Sequence, residues 1–253
     1  MTTAREATLS AVIIARNESA HIVRCIESVM AAVASIDGCE IVLVDSCSDD
    51  RTVEIARRYP IRVIELARNQ RCCAAMGRHV GIALTRGEYV LCVDGDTEIH
   101  PDWATAALAV LSARPNLGGA AGREDQIYYR NGERVGGKPD YFETGDAECV
   151  VDQFGGNAMY RRRALESVGS FNPYVRSFEE AELGARLRRA GWQLVRIPAS
   201  MGNHHTQQPD SLREYRRRLS GHLFTGQGQV LRIALRQGLF WEHARKLNRV
   251  LLF

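Results

Sequence analysis

The segment "EYVLCVDGDTEIHP", residues 88–101, joins a predicted buried strand to a pair of aspartates. It begins with a continuous run of apolar and aromatic residues, which is typical of a strand covered on both faces in a parallel sheet. The run ends at Asp94, and Asp96 follows with only Gly95 between them. Because loops and helix N-termini meet beyond the carboxyl ends of parallel strands, the pattern predicts that this strand presents two carboxylates to a crevice.

The residues before this stretch alternate between strand and helix patterns. Apolar runs predict strands over residues 9–15, 40–45, 61–66 and 88–94. Apolar residues at helical spacing predict helices over about residues 22–33, 48–59 and 72–85, with Asn17 or Ser19 capping the first. The alternation predicts an α/β fold with a Rossmann-like, doubly wound and mostly parallel sheet.

The second half of the chain is less regular. Glycine-rich segments predict short strands, and the loop Asn131–Gly137 is interpreted either as a flexible lid or as a disordered hairpin. A helix is predicted over residues 178–191 and a strand over residues 192–198. We therefore divide the chain into a main domain, residues 1–209, with halves at about 9–100 and 101–209, and a C-terminal helical extension, residues 210–253.

Charge is distributed unevenly along the chain. The formal net charge of +3 over 253 residues is too small to indicate a nucleic-acid partner. Residues 211–253 hold nine Arg or Lys against Glu214 and Glu242, a net charge of +7, which leaves −4 for the rest. This basic, amphipathic extension is interpreted as a contact with an anionic group or a peripheral membrane contact. A solvated helical face, core packing or a homodimer contact are the alternatives.

The cysteines and the hydropathy pattern bear on location. The seven cysteines show no CxxC spacing and several lie in apolar runs, which favours free thiols in a reducing compartment. The first residues have no apolar core of a signal peptide, and no window of about 18 apolar residues is present. We therefore expect a cytoplasmic protein, and the alternative is a cytoplasmic protein attached peripherally to a membrane.

The paired aspartates have two interpretations on chemistry alone. Asp94 and Asp96 could serve a turn or a helix cap. They could also bind a hard divalent cation, which takes one or two carboxylates and shares substrate phosphate oxygens. Asp45, at the end of the second predicted strand, should lie at the same edge of the sheet.

Five segments together resemble the family 2 glycosyltransferases, which are inverting enzymes with the GT-A fold. In chain order they are "AVIIARNES", "IVLVDSCSDDRTVEIA", "NQRCCAAMGRHVGIALTRGEYVLCVDGDT", "FGGNAMYRRRALESVGSF" and "FEEAELGARLRRAGW". The resemblance covers about Leu9 to His205, whereas the family's frequent "QxxRW" element is absent. It implies that residues 1–209 form a catalytic domain with a nucleotide-binding half and an acceptor half.

The resemblance also implies which residues bind the donor. "DGD" is similar to the DxD motif, so Asp94, Gly95 and Asp96 would face the donor ribose and an Mg²⁺ or Mn²⁺ ion. His204 or His205 would complete the metal site, with His204 preferred. The implied contacts to the nucleotide and the sugar are Ala15, Asn17, Glu18, Asp45, Arg78, Gly156 and Asn157.

An inverting transfer also needs a general base for the acceptor hydroxyl. "FEEAEL" is similar to the family's "EDxDL" segment, which implies that Glu180 is the base and that Glu179 beside it is the alternative. Further on, Arg213, Arg216 and Arg217 are spaced to contact a diphosphate or an anionic acceptor.

We therefore expect a metal-dependent inverting glycosyltransferase of the hexosyltransferase class. It would move a sugar from a nucleoside-diphosphate donor, with UDP favoured, to a hydroxyl of a glycan, a lipid-linked or a small-molecule acceptor. One alternative is a sugar-phosphate nucleotidyltransferase, although "ARNESAHI" lacks its glycine-rich phosphate loop. The other is a non-catalytic module that binds nucleotide sugars or adapts the protein to a membrane.

Overall fold

The computed structural model contains one large mixed sheet with helices packed against it. It describes residues 8–68, 72–208, 228–230, 232 and 235. The strands in this part are β1 Leu9–Ala15, β2 Cys39–Asp45, β3 Arg62–Glu65, β4 Tyr89–Asp94, β5 Thr97–Ile99, β6 Leu117–Arg130, β7 Glu133–Lys138, β8 Cys149–Val150, β9 Ala158–Arg161 and β10 Gln193–Gln207. The helices are α1 Ile22–Val33, α2 Thr52–Ala56, α3 Ala74–Ala83, α4 Trp103–Ala113, α5 Arg162–Ser167 and α6 Glu179–Arg189.

The first four strands form the parallel part of the sheet in the order β3-β2-β1-β4. All seven residues of β1 are buried, which explains why its sequence is apolar without alternation. The register places Ala15 beside Asp45 and Ile14 beside Asp94. The carboxyl ends of these strands therefore meet at one edge, and the predicted α/β class is confirmed.

The remaining strands extend the sheet with mixed directions. β9 runs antiparallel between β4 and β6, and β10 runs parallel to β6 and antiparallel to β5. The strand predicted to end at Pro198 continues to Gln207, with register shifts between Arg196 and Gly202. This continuation pairs His204 with Thr97, next to the "DGD" turn.

The glycine-rich segment after β6 is a paired β-hairpin. β7 pairs antiparallel with β6 from Gln126 opposite Lys138 to Arg130 opposite Glu133. The turn uses positive φ angles at Asn131 and Gly132, 53° and 84°, which these two residue types tolerate. The hairpin of the second interpretation is therefore present, but strand pairing satisfies its backbone and it is ordered; the interpretation as a lid stays a prediction.

The start of α1 also differs from the prediction. Its N-cap is His21, which makes no side-chain cap, so neither Asn17 nor Ser19 caps the helix. Asn17 instead adopts a positive φ of 60°, and its side-chain oxygen accepts the Asp49 N–H at 2.8 Å. The β1–α1 turn is thereby tied to the loop after β2.

The predicted extension, residues 210–253, lies largely outside the described residues. Residues 228–230, 232 and 235 are helical, and Val230 is buried. Arg213, Arg216 and Arg217 lie outside the described residues. Among the described residues, the helices are too short or too polar to cross a membrane.

Candidate active site

A cleft of about 910 Å³ opens at the carboxyl ends of β1, β2 and β4. The N-terminus of α6 and one residue of β10 close its far side. The site residues predicted from the sequence that line it are Ala15, Glu18, Arg78, Asp94, Gly95, Asp96, Glu179, Glu180 and His204. Side chains distant in sequence therefore meet where parallel strands end, as the topology requires.

Asp94, Asp96 and His204 form a cluster with metal-ligand geometry. One ligating atom from each lies within 4.8 Å of the others. The Nε2 atom of His204 lies 3.1 Å from Oδ2 of Asp96. Two carboxylates and an imidazole suit Mn²⁺, and the carboxylates alone suit Mg²⁺. The residues present therefore fit the predicted divalent cation.

Acidic and amide groups on β6 surround the other side of the His204 ring. Its Nδ1 atom lies 2.9 Å from Nε2 of Gln126 and 3.5 Å from Oε1 of buried Glu124. Burial lowers the pKa of His204, but hydrogen bonds to Asp96 and Glu124 outweigh it and raise the pKa to about 11 in the cation-free protein, so a cation that binds here would displace a proton from the imidazole. These neighbours on β6 orient the imidazole toward the aspartates.

His205 points to the opposite side of β10, away from the cleft. Its ring lies 3.0 Å from the Tyr129 hydroxyl, 3.2 Å from Arg24 Nη1 and 3.3 Å from Glu98 Oε2. Adjacent residues of a strand face opposite sides, so His204 and His205 cannot both reach the aspartates. The interpretation of His205 as a metal ligand is corrected accordingly.

Glu18 lies in the cleft among other carboxylates. Burial first, and then the charges of Asp96 and Asp94, raise its pKa to about 8. Its backbone N–H donates to the Thr52 hydroxyl at 2.8 Å, which fixes the turn after β1. The cleft therefore concentrates negative charge around the place where a cation would bind.

Glu179 and Glu180 begin α6 and face Arg78 on α3. Arg78 Nη1 lies 2.8 Å from Oε1 of Glu179 and 3.3 Å from Oε1 of Glu180. The Glu179 side chain is 7% exposed and the Glu180 side chain is 20% exposed. Glu180 is therefore the more accessible carboxylate, whereas Glu179 serves mainly as a partner of Arg78.

The environment of Glu180 disfavours its ionised form. Burial, and then the charge of Glu179, raise its pKa to about 8 despite the opposing effect of Arg78. A carboxyl group with this pKa can accept a proton in the neutral to mildly alkaline range.

The resemblance implied that Arg78 contacts the nucleotide. In the structure its side chain is held by other residues and is not free to do so. Its side chain is 2% exposed, and its Nη2 atom donates to Asp94 Oδ1 at 2.7 Å. The guanidinium contacts the cleft only from within its wall, because the nearby carboxylates occupy both of its terminal nitrogens.

Four further predicted residues do not line the cleft. The Asn157 side chain is buried; its amide oxygen accepts the Asp94 N–H and its amide nitrogen donates to Thr97 and Glu124. Gly156 packs under Asp94 and Arg78. The Asp45 carboxylate accepts hydrogen bonds from Ser48, and the Asn17 side chain accepts the Asp49 N–H from the loop after β2. Their contribution is to hold the loops and Asp94 in place.

Sequence reasoning missed several residues of the cleft wall. Arg16, Ser46, Cys47, Arg68, Tyr174 and Arg176 line it, although they were not singled out from the sequence. Arg16, Ser46 and Cys47 follow directly after β1 and β2, so the rule for strand ends could have found them. Arg68, Tyr174 and Arg176 come from loops that carry no periodic pattern.

Cys47 and Cys72, both on the cleft wall, form a disulfide. The expectation that the cysteines are free thiols was wrong for this pair, which removes one support for a reducing compartment. The pairing could not be read from spacing, since seven cysteines allow many connectivities.

Comparison with known proteins identifies the family. The model for "Glycosyl transferase family 2" matches residues 10–169, which is most of the chain and includes the "DGD" turn. The chain belongs to glycosyl transferase family 2. The family indicated by the five sequence segments is therefore confirmed.

Curated relatives of this family 2 member carry names from glycan and sugar-lipid synthesis. The succinoglycan biosynthesis protein ExoA of Rhizobium meliloti is 27% identical over 70% of this chain and 57% of its own length. A dodecaprenyl-phosphate galacturonate synthase of Rhizobium johnstonii is 32% identical over 48% of this chain and 38% of its own. This chain thus spans between 38% and 57% of the length of these two relatives.

Solved structures establish the GT-A fold of this family 2 member. S. aureus TarS residues 1–349 in complex with UDP-GlcNAc aligns with a TM-score of 0.66 and 18% identity, over 81% of this chain and 60% of TarS. GalNAc-T7 with UDP, GalNAc and Mn²⁺ aligns with a TM-score of 0.63 and 19% identity, over 85% of this chain and 48% of its own. The predicted fold is confirmed.

Proposed function

We propose that this protein is a metal-dependent inverting glycosyltransferase that uses a nucleoside-diphosphate sugar, with UDP as the favoured nucleotide. The observation that carries the proposal is that one cleft brings together the Asp94–Asp96–His204 cluster and an accessible carboxylate, Glu180. Structures of TarS with UDP-GlcNAc and of GalNAc-T7 with UDP support the choice of nucleotide.

The carboxylates and His204 are suited to hold Mg²⁺ or Mn²⁺ beside the donor diphosphate. When bound, the cation supplies positive charge to the leaving diphosphate. Arg16, Arg68 and Arg176 also line the cleft and can neutralise phosphate oxygens. Because the cleft is otherwise rich in carboxylates, donor binding should require both kinds of positive charge.

Glu180 is proposed to accept the proton of the acceptor hydroxyl as that oxygen attacks the anomeric carbon. It is the better candidate than Glu179 because its side chain is more exposed and Glu179 is held by Arg78. The hydroxyl oxygen forms the new glycosidic bond while the bond to the diphosphate breaks. The configuration at the anomeric carbon is thereby inverted.

The proposal is tested with Asp96→Ala and Glu180→Gln. We expect both variants to lose release of nucleoside diphosphate from a panel of nucleotide sugars, with water or added glycans as acceptors. Glu180→Gln should still bind UDP with Mn²⁺, because Glu180 is outside the Asp94–Asp96–His204 cluster, whereas Asp96→Ala should not. Full turnover in both variants would contradict the proposal.

The products released also distinguish the proposed function from its two rivals. A sugar-phosphate nucleotidyltransferase would release pyrophosphate from a nucleoside triphosphate and not UDP from a UDP-sugar. A non-catalytic module would bind the nucleotide and release nothing. The acceptor, a cytoplasmic location and contact of residues 210–253 with a membrane or a second copy stay predictions.

A further inference from the structure

Arg78 connects two parts of the cleft that are far apart in sequence. Its Nη2 atom donates to Asp94 Oδ1 at 2.7 Å, and its Nη1 atom donates to Glu179 Oε1 at 2.8 Å. Asp94 ends β4, whereas Glu179 and Glu180 begin α6. One guanidinium therefore contacts the acidic tip of β4 and the acidic start of α6 at the same time.

The surroundings hold this guanidinium in one orientation. The carbonyl of Gly156 accepts a further hydrogen bond from Nη2 at 3.3 Å, and the Phe171 ring centroid lies 5.5 Å from the guanidinium carbon. The side chain is 2% exposed. The planar fork is thus packed, and its directional bonds point at carboxylates on two elements.

Gly156 provides the space for this arrangement. A Cβ atom at this position would overlap the Asp94 carboxylate and lie 2.8 Å from Arg78 Nη2. The segment that leads into β9 therefore accommodates the ion pair only because residue 156 has no side chain.

The positive charge of Arg78 offsets the repulsion between the carboxylates of β4 and α6. Arg78 is a buried cation that faces Asp94, Glu179 and Glu180. Without it, the three carboxylates would repel one another in a poorly solvated place, and removing one partner of a buried ion pair leaves an uncompensated charge. A lysine would keep the charge but could not bond both elements through a rigid fork.

We propose that Arg78 is a positioning residue that couples the tip of β4 to the start of α6. It sets the Asp94 carboxylate and the Glu179–Glu180 pair in a fixed relation, so that a change at one is felt at the other. The significance of the two elements for donor and acceptor rests on the proposed function. The coupling itself is a property of the ligand-free protein.

A double-mutant cycle measures the coupling without any ligand. Asp94→Asn and Glu179→Gln are combined in the wild type and in the Arg78→Lys variant, and urea unfolding gives each equilibrium constant. With Arg78 present, the unfolding equilibrium constant of the double variant should differ by about fivefold or more from the value expected if the two single effects simply multiplied. In the Arg78→Lys background, the factor should fall to within about twofold. Equal factors in both backgrounds would overturn the proposal.

The matched control is Arg161→Lys. Arg161 is also buried, but it bonds the Leu117 carbonyl and the Tyr89 hydroxyl, away from the cleft. This substitution should lower stability while the Asp94–Glu179 coupling stays as in the wild type. Loss of coupling in this control would mean that the cycle reports general loosening, and it would count against Arg78.

Hydrogen exchange gives a second measurement that does not need a folded Arg78 variant. Asp94→Asn should speed amide exchange at residues 182–185, the first amides of α6 with intrahelical hydrogen bonds, because Arg78 loses one of its anchors. Asp96→Asn, in the same turn but without a contact to Arg78, should not. Equal exchange in the two variants would contradict the coupling.

Turnover separates positioning from mere stability. Arg78→Lys should lower kcat of donor turnover by about a hundredfold, as expected for small misplacements of reacting groups, while KM for the donor changes far less. An unchanged kcat with the coupling lost would overturn the positioning role. If the wild type binds neither Mn²⁺ nor UDP, the proposed function fails, whereas the unfolding cycle still decides the coupling.

Discussion

Glu180 shows how a single residue is tuned by its neighbours. Its pKa is raised to about 8 by burial and by the charge of Glu179. A base works only when ionised, so we expect kcat/KM to rise with pH up to about 8 and then to level off. Glu179→Gln removes a negative charge and frees Arg78 for Glu180, so the rise should move to lower pH. A profile that is flat in both proteins would contradict the role of Glu180.

Glu18 makes a prediction about stability. Its pKa is raised from 4.5 to about 8 in the folded protein, so the native state holds a proton that the unfolded state has lost. Stability of the protein in EDTA should therefore fall as pH rises through this window. Glu18→Gln should remove part of the fall and melt above the wild type at alkaline pH. Exposed Glu88→Gln is the control, and identical pH dependence of Glu18→Gln and wild type would contradict the prediction.

Asn157 holds the site together from a buried position. Its side chain bonds the Asp94 N–H, Thr97 and Glu124 in a buried place. Asn157→Ala leaves these groups unsatisfied and should cost about 2 kcal/mol of unfolding free energy. Exposed Asn116→Ala is the control, with a change within about 0.5 kcal/mol. Urea unfolding of both variants checks this, and equal small losses would contradict it.

Among the elements, the packing of α3 on β1 determines where Arg78 lies. A Cβ atom at Gly81 would collide with the Val12 side chain of β1 and lie 3.2 Å from Val44 of β2. Gly81→Ala should push α3 off the sheet and cost about 1–3 kcal/mol, measured by thermal or urea unfolding. At exposed Gly136 a Cβ would meet nothing within 4 Å, so Gly136→Ala should be nearly neutral. Equal effects of the two would contradict this view of the packing.

The elements also show which parts of the fold can be predicted from sequence. β1, β2 and β4 are buried over most of their length and produce continuous apolar runs, so their ends were placed within one residue. β10 was predicted to end at Pro198 because its apolar run ends there. Its second half carries the polar Asn203 and His204, and strand pairing rather than hydropathy holds it.

The candidate site also has a part that could be predicted from the sequence and a part that could not. Asp94 and Asp96 could be placed at one edge of the sheet from the end of a strand, whereas the resemblance supplied His204, Glu179 and Glu180. The bonds of Arg78 and Asn157 could not be predicted, because they depend on the approach of β9 and α6 to β4. Long-range contacts of this kind leave no periodic signal in the sequence.

On the scale of the whole molecule, the extension adds a net charge of +7 over residues 211–253 to a body of −4. Such a basic segment should bind an anionic lipid surface through charge, with binding weakened by salt. The full chain should therefore sediment with phosphatidylglycerol vesicles at low salt and less so at high salt. Absence of binding at low salt would favour packing against the body or against a second copy.

The proposed nucleotide site is the feature of the whole molecule on which the proposed function depends. It is tested most directly by a thermal-shift panel of UDP, GDP, dTDP and CDP, each with Mn²⁺, Mg²⁺ or EDTA, on the wild type and on Asp96→Ala. A ligand that binds only the folded state raises its stability in proportion to RT ln(1 + [L]/Kd). We predict that UDP stabilises the wild type when Mn²⁺ or Mg²⁺ is present and that both EDTA and Asp96→Ala abolish the shift. No shift with any nucleotide, or a UDP shift that survives EDTA and Asp96→Ala, would contradict the proposed metal-dependent nucleotide site.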